Sequence, residues 1–167
     1  MDAQRKRKLG IGIVVLALGA WGLHAFLTRP GTSEEARVRG TVEAMAARAE
    51  DANANEFLAL VDDAYRDNRG HANKAAFAST LKALLARFAL GSERLAVSIE
   101  RLEVVIAPEP GRATATVAFA SWSRNASTPK SMVVPSGAKK LEFELELTKG
   151  TDGEWRVARA TEKSVPR

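Results

Sequence analysis

The stretch from Leu9 to Leu27, LGIGIVVLALGAWGLHAFL, constrains this chain more than any other feature. It runs for nineteen residues in which His24 is the one strongly polar side chain. As a helix it spans roughly 28 Å at about 1.5 Å per residue, close to a bilayer core of about 30 Å. Backbone groups in hydrocarbon must be satisfied internally, so a single helix over residues 9–28 is expected to sit in a lipid bilayer. Arg5, Lys6, Arg7 and Lys8 stand directly before it and only Arg29 follows closely. The positive-inside rule then keeps residues 1–8 in the cytoplasm and places the remainder outside. Trp21 and His24 lie in the last third of the run, where amphipathic rings reach the interface, and Pro30-Gly31 opens a linker over 29–32. A cleaved export signal also begins basic and then apolar, but its apolar core usually covers about 7–15 residues before a small-x-small site. Ala20-Trp21-Gly22 is the nearest such site and lies inside the run. The expectation is an uncleaved signal-anchor, single-pass in the cytoplasmic membrane, with a periplasmic C-terminal domain. No GxxxG spacing specifies helix pairing.

Composition narrows the rest. The chain has 167 residues and no cysteine, which excludes a disulfide scaffold, thiolate zinc sites and a cysteine nucleophile. The net charge of +5 is unevenly spread. Residues 1–8 hold four basic side chains and Asp2, residues 9–28 hold no formal charge, and the remainder holds 21 basic and 19 acidic residues. That near balance is not a nucleic-acid footprint. About 139 residues follow the apolar run, enough for one domain and too few for two. The 30 alanines and 16 arginines point to a GC-rich bacterial genome.

From Thr32 the hydrophobic period becomes helical. Thr32 and Glu35 have the spacing of a capping box, and Val38, Val42, Met45 and Ala49 follow on one face. The spacing predicts a helix from about Ser33 to Asp51, with Glu35 and Arg39 four apart on another face. Asn53 or Asn55 can cap a second, shorter helix carrying Phe57, Leu58, Leu60 and Val61 and ending near Tyr65. Asp67-Asn68-Arg69-Gly70 then reads as a turn. Asn73 caps a third helix with the stripe Phe77, Leu81, Leu84, Leu85 and Phe88, stopped by Gly91.

Beyond Gly91 the period is two. Leu95, Val97 and Ile99 alternate in one parity and Leu102, Val104 and Ile106 in the other, so a β-bulge is expected at Glu100-Arg101. Ala113, Ala115, Val117 and Phe119 form the return strand after a turn at Pro108 to Gly111. Leu141, Phe143, Leu145 and Leu147 alternate with Glu142, Glu144 and Glu146, and Trp155 and Val157 face inward after a turn at Gly150 to Gly153. Pairing Leu147 with Trp155 places Glu146 opposite Arg156 on the wet face and Arg159 opposite Phe143 on the core face. The whole predicts an α+β domain over 33–163, a cone of about three helices packed on a curved antiparallel sheet of about four strands, with a short tail at 164–167.

This order of elements resembles the nuclear transport factor 2-like (cystatin-like, SnoaL-type) superfamily. The stretch Phe57-Leu-Ala-Leu-Val-Asp-Asp-Ala-Tyr65-Arg-Asp is similar to its second-helix region. Gly153-Glu-Trp155-Arg-Val157 is similar to its last-strand pattern. The resemblance implies a cone whose open end can hold a ligand. It licenses no single activity, because the superfamily hosts isomerases, dehydratases, cyclases, carriers and protein-binding domains. In its enzymes a carboxylate with a Tyr or His partner works as general acid/base in the cone.

Asp62, Asp63, Tyr65, Asp67 and His71 are the one dense polar cluster that could supply such chemistry. The plainer reading makes them a helix end and a polar turn, with the Tyr65 ring packed under the sheet. The strand positions facing inward offer no second acid. A small-ligand pocket would be lined by Tyr65, Asp63, Phe119, Phe143, Trp155 and Arg159. There Arg159 would bind an anionic group or hold Asp63, or else snorkel or be turned out by a late bulge. Asp63, Asp67 and His71 lack a recognisable metal-ligand set, and neither a nucleophile elbow nor a phosphate-binding glycine loop occurs. The reading therefore assigns no catalytic residue, metal or cofactor. The segment Arg124 to Lys140 is long for a hairpin connection. Its Met132, Val133 and Val134 either dock on the domain or contact a partner, an envelope protein or a second copy of the chain. The expected function is that of a membrane-anchored, non-catalytic envelope scaffold. One helix plus such a domain is similar in layout to inner-membrane scaffold subunits of type IV secretion systems.

Overall fold

The computed structural model describes residues 33–130 and 133–163. Helix α1 (Glu34–Glu50) begins at Ser33, whose hydroxyl accepts from the Ala36 N–H at 3.1 Å. The cap is thus Ser33 rather than Thr32, and Glu35 instead pairs with Arg39 at 3.4 Å. Val38 and Val42 are the buried face of α1, with Met45 packed beside them. Asn53 caps the short helix α2 (Ala54–Ala59) by accepting from Glu56 N–H. Here the sequence reading needs correction: α2 stops at Ala59 and Val61–Asp67 is a strand, β1. Helix α3 (Lys74–Ala89) follows, capped by Asn73 as its sequence predicts, with Leu81 and Leu85 buried. Strands β2 (Glu93–Ile106), β3 (Arg112–Asn125), β4 (Lys139–Lys149) and β5 (Trp155–Lys163) complete the chain.

The sheet has five strands in the order β1-β5-β4-β3-β2, all antiparallel neighbours except β1, which runs parallel to β5. Ile99 faces Phe119 while Arg101 faces Ala118, so the bulge falls at Glu100 and both apolar sets of β2 keep one face. The β4–β5 register differs from the pairing expected. Leu147 opposes Val157, Thr148 opposes Arg156 and Lys149 opposes Trp155. A second irregularity between Glu146 and Leu147 then sets Glu146 opposite Arg159. Arg159 is therefore on the outer face, 3.6 Å from the Glu146 carboxylate, and Phe143 faces Glu162 instead.

The concave face and the helices enclose the main core: Val38, Val42, Val61, Tyr65, Ala113, Ala115, Val117, Leu145, Leu147, Trp155, Val157 and Ala160. On the outer face each β4 glutamate meets a base, from β5 beside it or from β2 across β3. Arg101 reaches Glu142 at 2.8 Å, Lys163 reaches Glu144 at 2.7 Å, and Arg159 reaches Glu146. That face is built for water rather than for a second sheet.

The open edge of β2 is covered by side chains. Glu50 accepts the Val97 N–H at 2.6 Å, Lys130 donates to the Val97 carbonyl at 2.6 Å, and the two side chains pair with each other at 2.6 Å. Arg39 donates to the Leu102 carbonyl further along. An unpaired edge is a template for association, so Glu50→Ala is expected to cost about 1–2 kcal/mol and to raise aggregation. Urea unfolding together with light scattering of the variant checks both.

Candidate functional site

Of the polar residues grouped in the sequence, Tyr65, Asp67 and His71 meet where β1 ends, and Asp62 and Asp63 do not join them. Asp67 lies in parallel register with Ala160 of β5. The chain then turns through Asn68, Arg69 and Gly70, whose φ of +103° is open to glycine and strained for other residues. Asp67 Oδ1 accepts from the N–H groups of Arg69 (3.0 Å) and His71 (2.9 Å), which closes the turn. Its Oδ2 accepts the His71 Nδ1–H at 2.7 Å and the Tyr65 hydroxyl at 3.2 Å. The other ring nitrogen of His71, Nε2, lies 3.0 Å from Thr80 Oγ1 on α3. An ionised carboxylate can only accept, so Nδ1 carries the proton, and in the neutral ring Nε2 accepts from the Thr80 hydroxyl. Phe77 closes the cluster from α3, its ring 4.7 Å from Tyr65 and 5.7 Å from His71.

Burial governs the electrostatics. The Asp67 side chain is 3% exposed. Burial pushes its carboxyl up, yet the donors from His71 and Arg69 outweigh that and hold it below the ordinary value. Burial beside this anion raises the Tyr65 phenol well above its usual range, so the hydroxyl stays a donor. The result is a satisfied relay, Tyr65–Asp67–His71–Thr80, which joins β1 to α3.

Other residues named from the sequence are dispersed. Asp63 points to solvent, its side chain 99% exposed, and bonds Lys74 at 2.9 Å, which also donates to the Val61 carbonyl. That hydrogen bond depresses the Asp63 carboxyl. Asp62 accepts from Thr148 Oγ1 and Ala64 N–H. Among the described residues no group of three carboxylate or imidazole side chains converges as a metal site. Phe119 and Phe143 stack at 5.8 Å against the core. Trp155 is buried, and its indole N–H donates to Glu34 Oε2 at 2.7 Å. The Glu34 carboxyl is lowered by the hydrogen bond from Lys149 and then by this one from the indole. Tyr65 and Trp155 therefore fill the cone from within, while Asp63 and Arg159 stand outside it.

The Arg124–Lys140 segment is tied to the α1 and β2 side by Lys130. Met132 lies outside the described residues, Val133 is exposed and Val134 is half-buried. An open depression of about 520 Å³ lies elsewhere, between the Asp51–Asn55 turn and Lys82, Leu85 and Ala86 of α3. Sequence reasoning missed Thr80 and Glu34. Thr80 beside Leu81 in an apolar stripe and Glu34 in the first turn of α1 read as ordinary surface residues, and only long-range packing brings them to His71 and Trp155.

The same arrangement of helices on a bent sheet occurs in solved structures. A candidate scytalone dehydratase from Novosphingobium aromaticivorans superposes with a TM-score of 0.61 at 13% identity, covering 78% of this chain and 83% of its own. A candidate calcium/calmodulin-dependent protein kinase II association domain from Xanthomonas campestris gives 0.61 at 12% identity, covering 83% and 92%. A nuclear transport factor 2-like protein of unknown function from Pseudomonas putida gives 0.60 at 13%, covering 80% and 87%. The fold is nuclear transport factor 2-like. No family model and no curated protein sequence matches the chain. Among the described residues of this nuclear transport factor 2-like domain, no helix is long and apolar enough to cross a membrane. The apolar run over 9–28 lies outside those residues.

Proposed function

We propose that the chain is a non-catalytic binding domain held at a membrane by residues 9–28 and working through contacts with another envelope protein or a second copy. The filled cone carries this reading. Tyr65, Trp155, Val157, Val117 and Leu147 occupy the interior where a ligand of this fold would sit, and Trp155 is anchored there by Glu34. Ligand pockets usually need about 300–1,000 Å³ of concave space, and here core side chains take up the interior. Full-length chain in isolated membranes is expected to resist alkaline carbonate extraction. A photo-crosslinker at Val133 is expected to give one discrete product, with none from Thr116 on the outer sheet face. Release by carbonate overturns the membrane assignment, and equal labelling from both positions overturns the loop contact.

The Tyr65–Asp67–His71–Thr80 relay favours a second reading, a small-ligand or proton-transfer site at the flank of the cone. Asp67 orients the imidazole as general acid/base sites require, and the likeness in fold to a dehydratase candidate agrees with such use. The chain has two histidines, His24 and His71. The His71 ring resonances are therefore a clean probe: a ligand at the relay moves them on titration, and a purely structural relay leaves them in place.

A further inference from the structure

We infer that the β2–β3 hairpin tip, Val105 to Pro110, is a second membrane contact, resting at the bilayer interface beside the point where the N-terminal segment enters the domain. The inference rests on the membrane assignment of residues 9–28 proposed above. Its starting observation is apolar surface at one end of the sheet. Val105 is 65% exposed and Ile106 39% exposed, one on each face of the hairpin, and Pro108 and Pro110 are exposed beyond them.

The contacts place this tip beside Ser33. Gly111, which closes the turn at φ +75°, accepts the Lys149 N–H through its carbonyl at 2.9 Å. The Lys149 ammonium in turn bonds Glu34, the first residue of α1, at 2.7 Å. Lys149 therefore bridges the hairpin turn and the first residue of α1. The chain outside it at that end is 32 residues long. From residue 28 to Ser33 it reaches roughly 20 Å at most when fully extended. A membrane segment over 9–28 thus holds this end of the sheet at the lipid surface.

The tip suits that position chemically. Its two prolines have no N–H to dehydrate, and the Ala107 N–H is already bonded to the Arg112 carbonyl. Val105 and Ile106 offer aliphatic area to the acyl boundary. Glu109 and Arg112, paired at 3.3 Å, are kept at headgroup level by their charge, so the contact is shallow. The far end also shows an exposed apolar side chain, Leu90, 93% exposed. It stands next to the start of β2, thirteen strand residues from Ile106, about 40 Å when extended. Apolar exposure occurs at both ends, and the tether selects the hairpin.

The absence of cysteine makes the test direct. Full-length chain carrying a single cysteine at position 105, 90 or 15 is labelled with an environment-sensitive fluorophore. Each is reconstituted in phosphatidylcholine–phosphatidylglycerol vesicles containing nitroxide lipids with shallow or deep spin labels. The probe at 105 is expected to lose most of its emission to the shallow quencher and little to the deep one. The probe at 15 is expected to respond most to the deep quencher, and that at 90 to neither. Quenching at 15 with none at 105 overturns the hairpin contact while leaving the membrane anchor standing. A blue-shifted but unquenched probe at 105 means that a protein, such as a second copy, covers the tip, and also overturns it. No quenching at 15 removes the anchor and this inference together.

Discussion

Trp155→Ala lowers the stability of the domain by about 3–5 kcal/mol, the range for truncating a buried aromatic. The ring belongs to the main core, against Val38, Val157 and their neighbours, so alanine leaves a void that β5 and α1 cannot both close. The variant also strips Glu34 of the indole N–H that reaches it from 2.7 Å. Trp155→Phe separates the two effects. It keeps most of the ring volume and loses the hydrogen bond, so about 1 kcal/mol is expected. Urea unfolding of the wild-type chain and both variants measures the difference. Equal costs for Ala and Phe would show that the Glu34 bond, not the packing, holds α1 on β5.

Asp67→Ala is the second large loss, about 3 kcal/mol. The carboxylate satisfies four donors at once, the Tyr65 hydroxyl, the His71 ring and the N–H groups of Arg69 and His71. Removing it leaves the buried tyrosine hydroxyl without its acceptor and opens the turn that carries His71 to α3. The pH dependence follows from the depressed carboxyls of Asp67 and Glu34, together with Asp152, held down by Arg156, and Asp63, held down by Lys74. A carboxyl lowered by folding contributes stability that is whole above its unfolded value, about 4, and is lost as pH falls through its folded value. The wild-type chain is expected to lose stability as pH drops below about 4. Asp67→Asn removes one share of that loss, so its stability curve in acid is flatter. An equally steep acid limb in Asp67→Asn would place the titration elsewhere.

Sequence periodicity and tertiary structure diverge at Val61–Asp67. Val61 and Tyr65 are both buried and four apart, the spacing of a helix face, and the sequence alone reads them as one. In the structure β1 reaches the same two burials with an irregular register between Val61 and Arg66. The reason lies ninety residues away: β5 would otherwise expose its backbone, and β1 covers it, with Leu60 accepting from Val157 N–H and Ala160 accepting from Asn68 N–H. No local pattern carries that information. The same holds for Arg159. Strict alternation from Trp155 aims it inward, and an irregular pairing at Glu146 and Leu147 turns it out to Glu146.

By itself the sequence determined the α+β class, the cap at Asn73, the long antiparallel strands and the bulge at Glu100-Arg101, because each follows from side-chain period or from a local hydrogen bond between near neighbours. The tertiary structure alone decided the fifth strand, the last register and the docking of Thr80 on the Tyr65–Asp67–His71 cluster. Those depend on which backbone edge needs a partner and which helix lies across it, choices made by residues far apart in the chain.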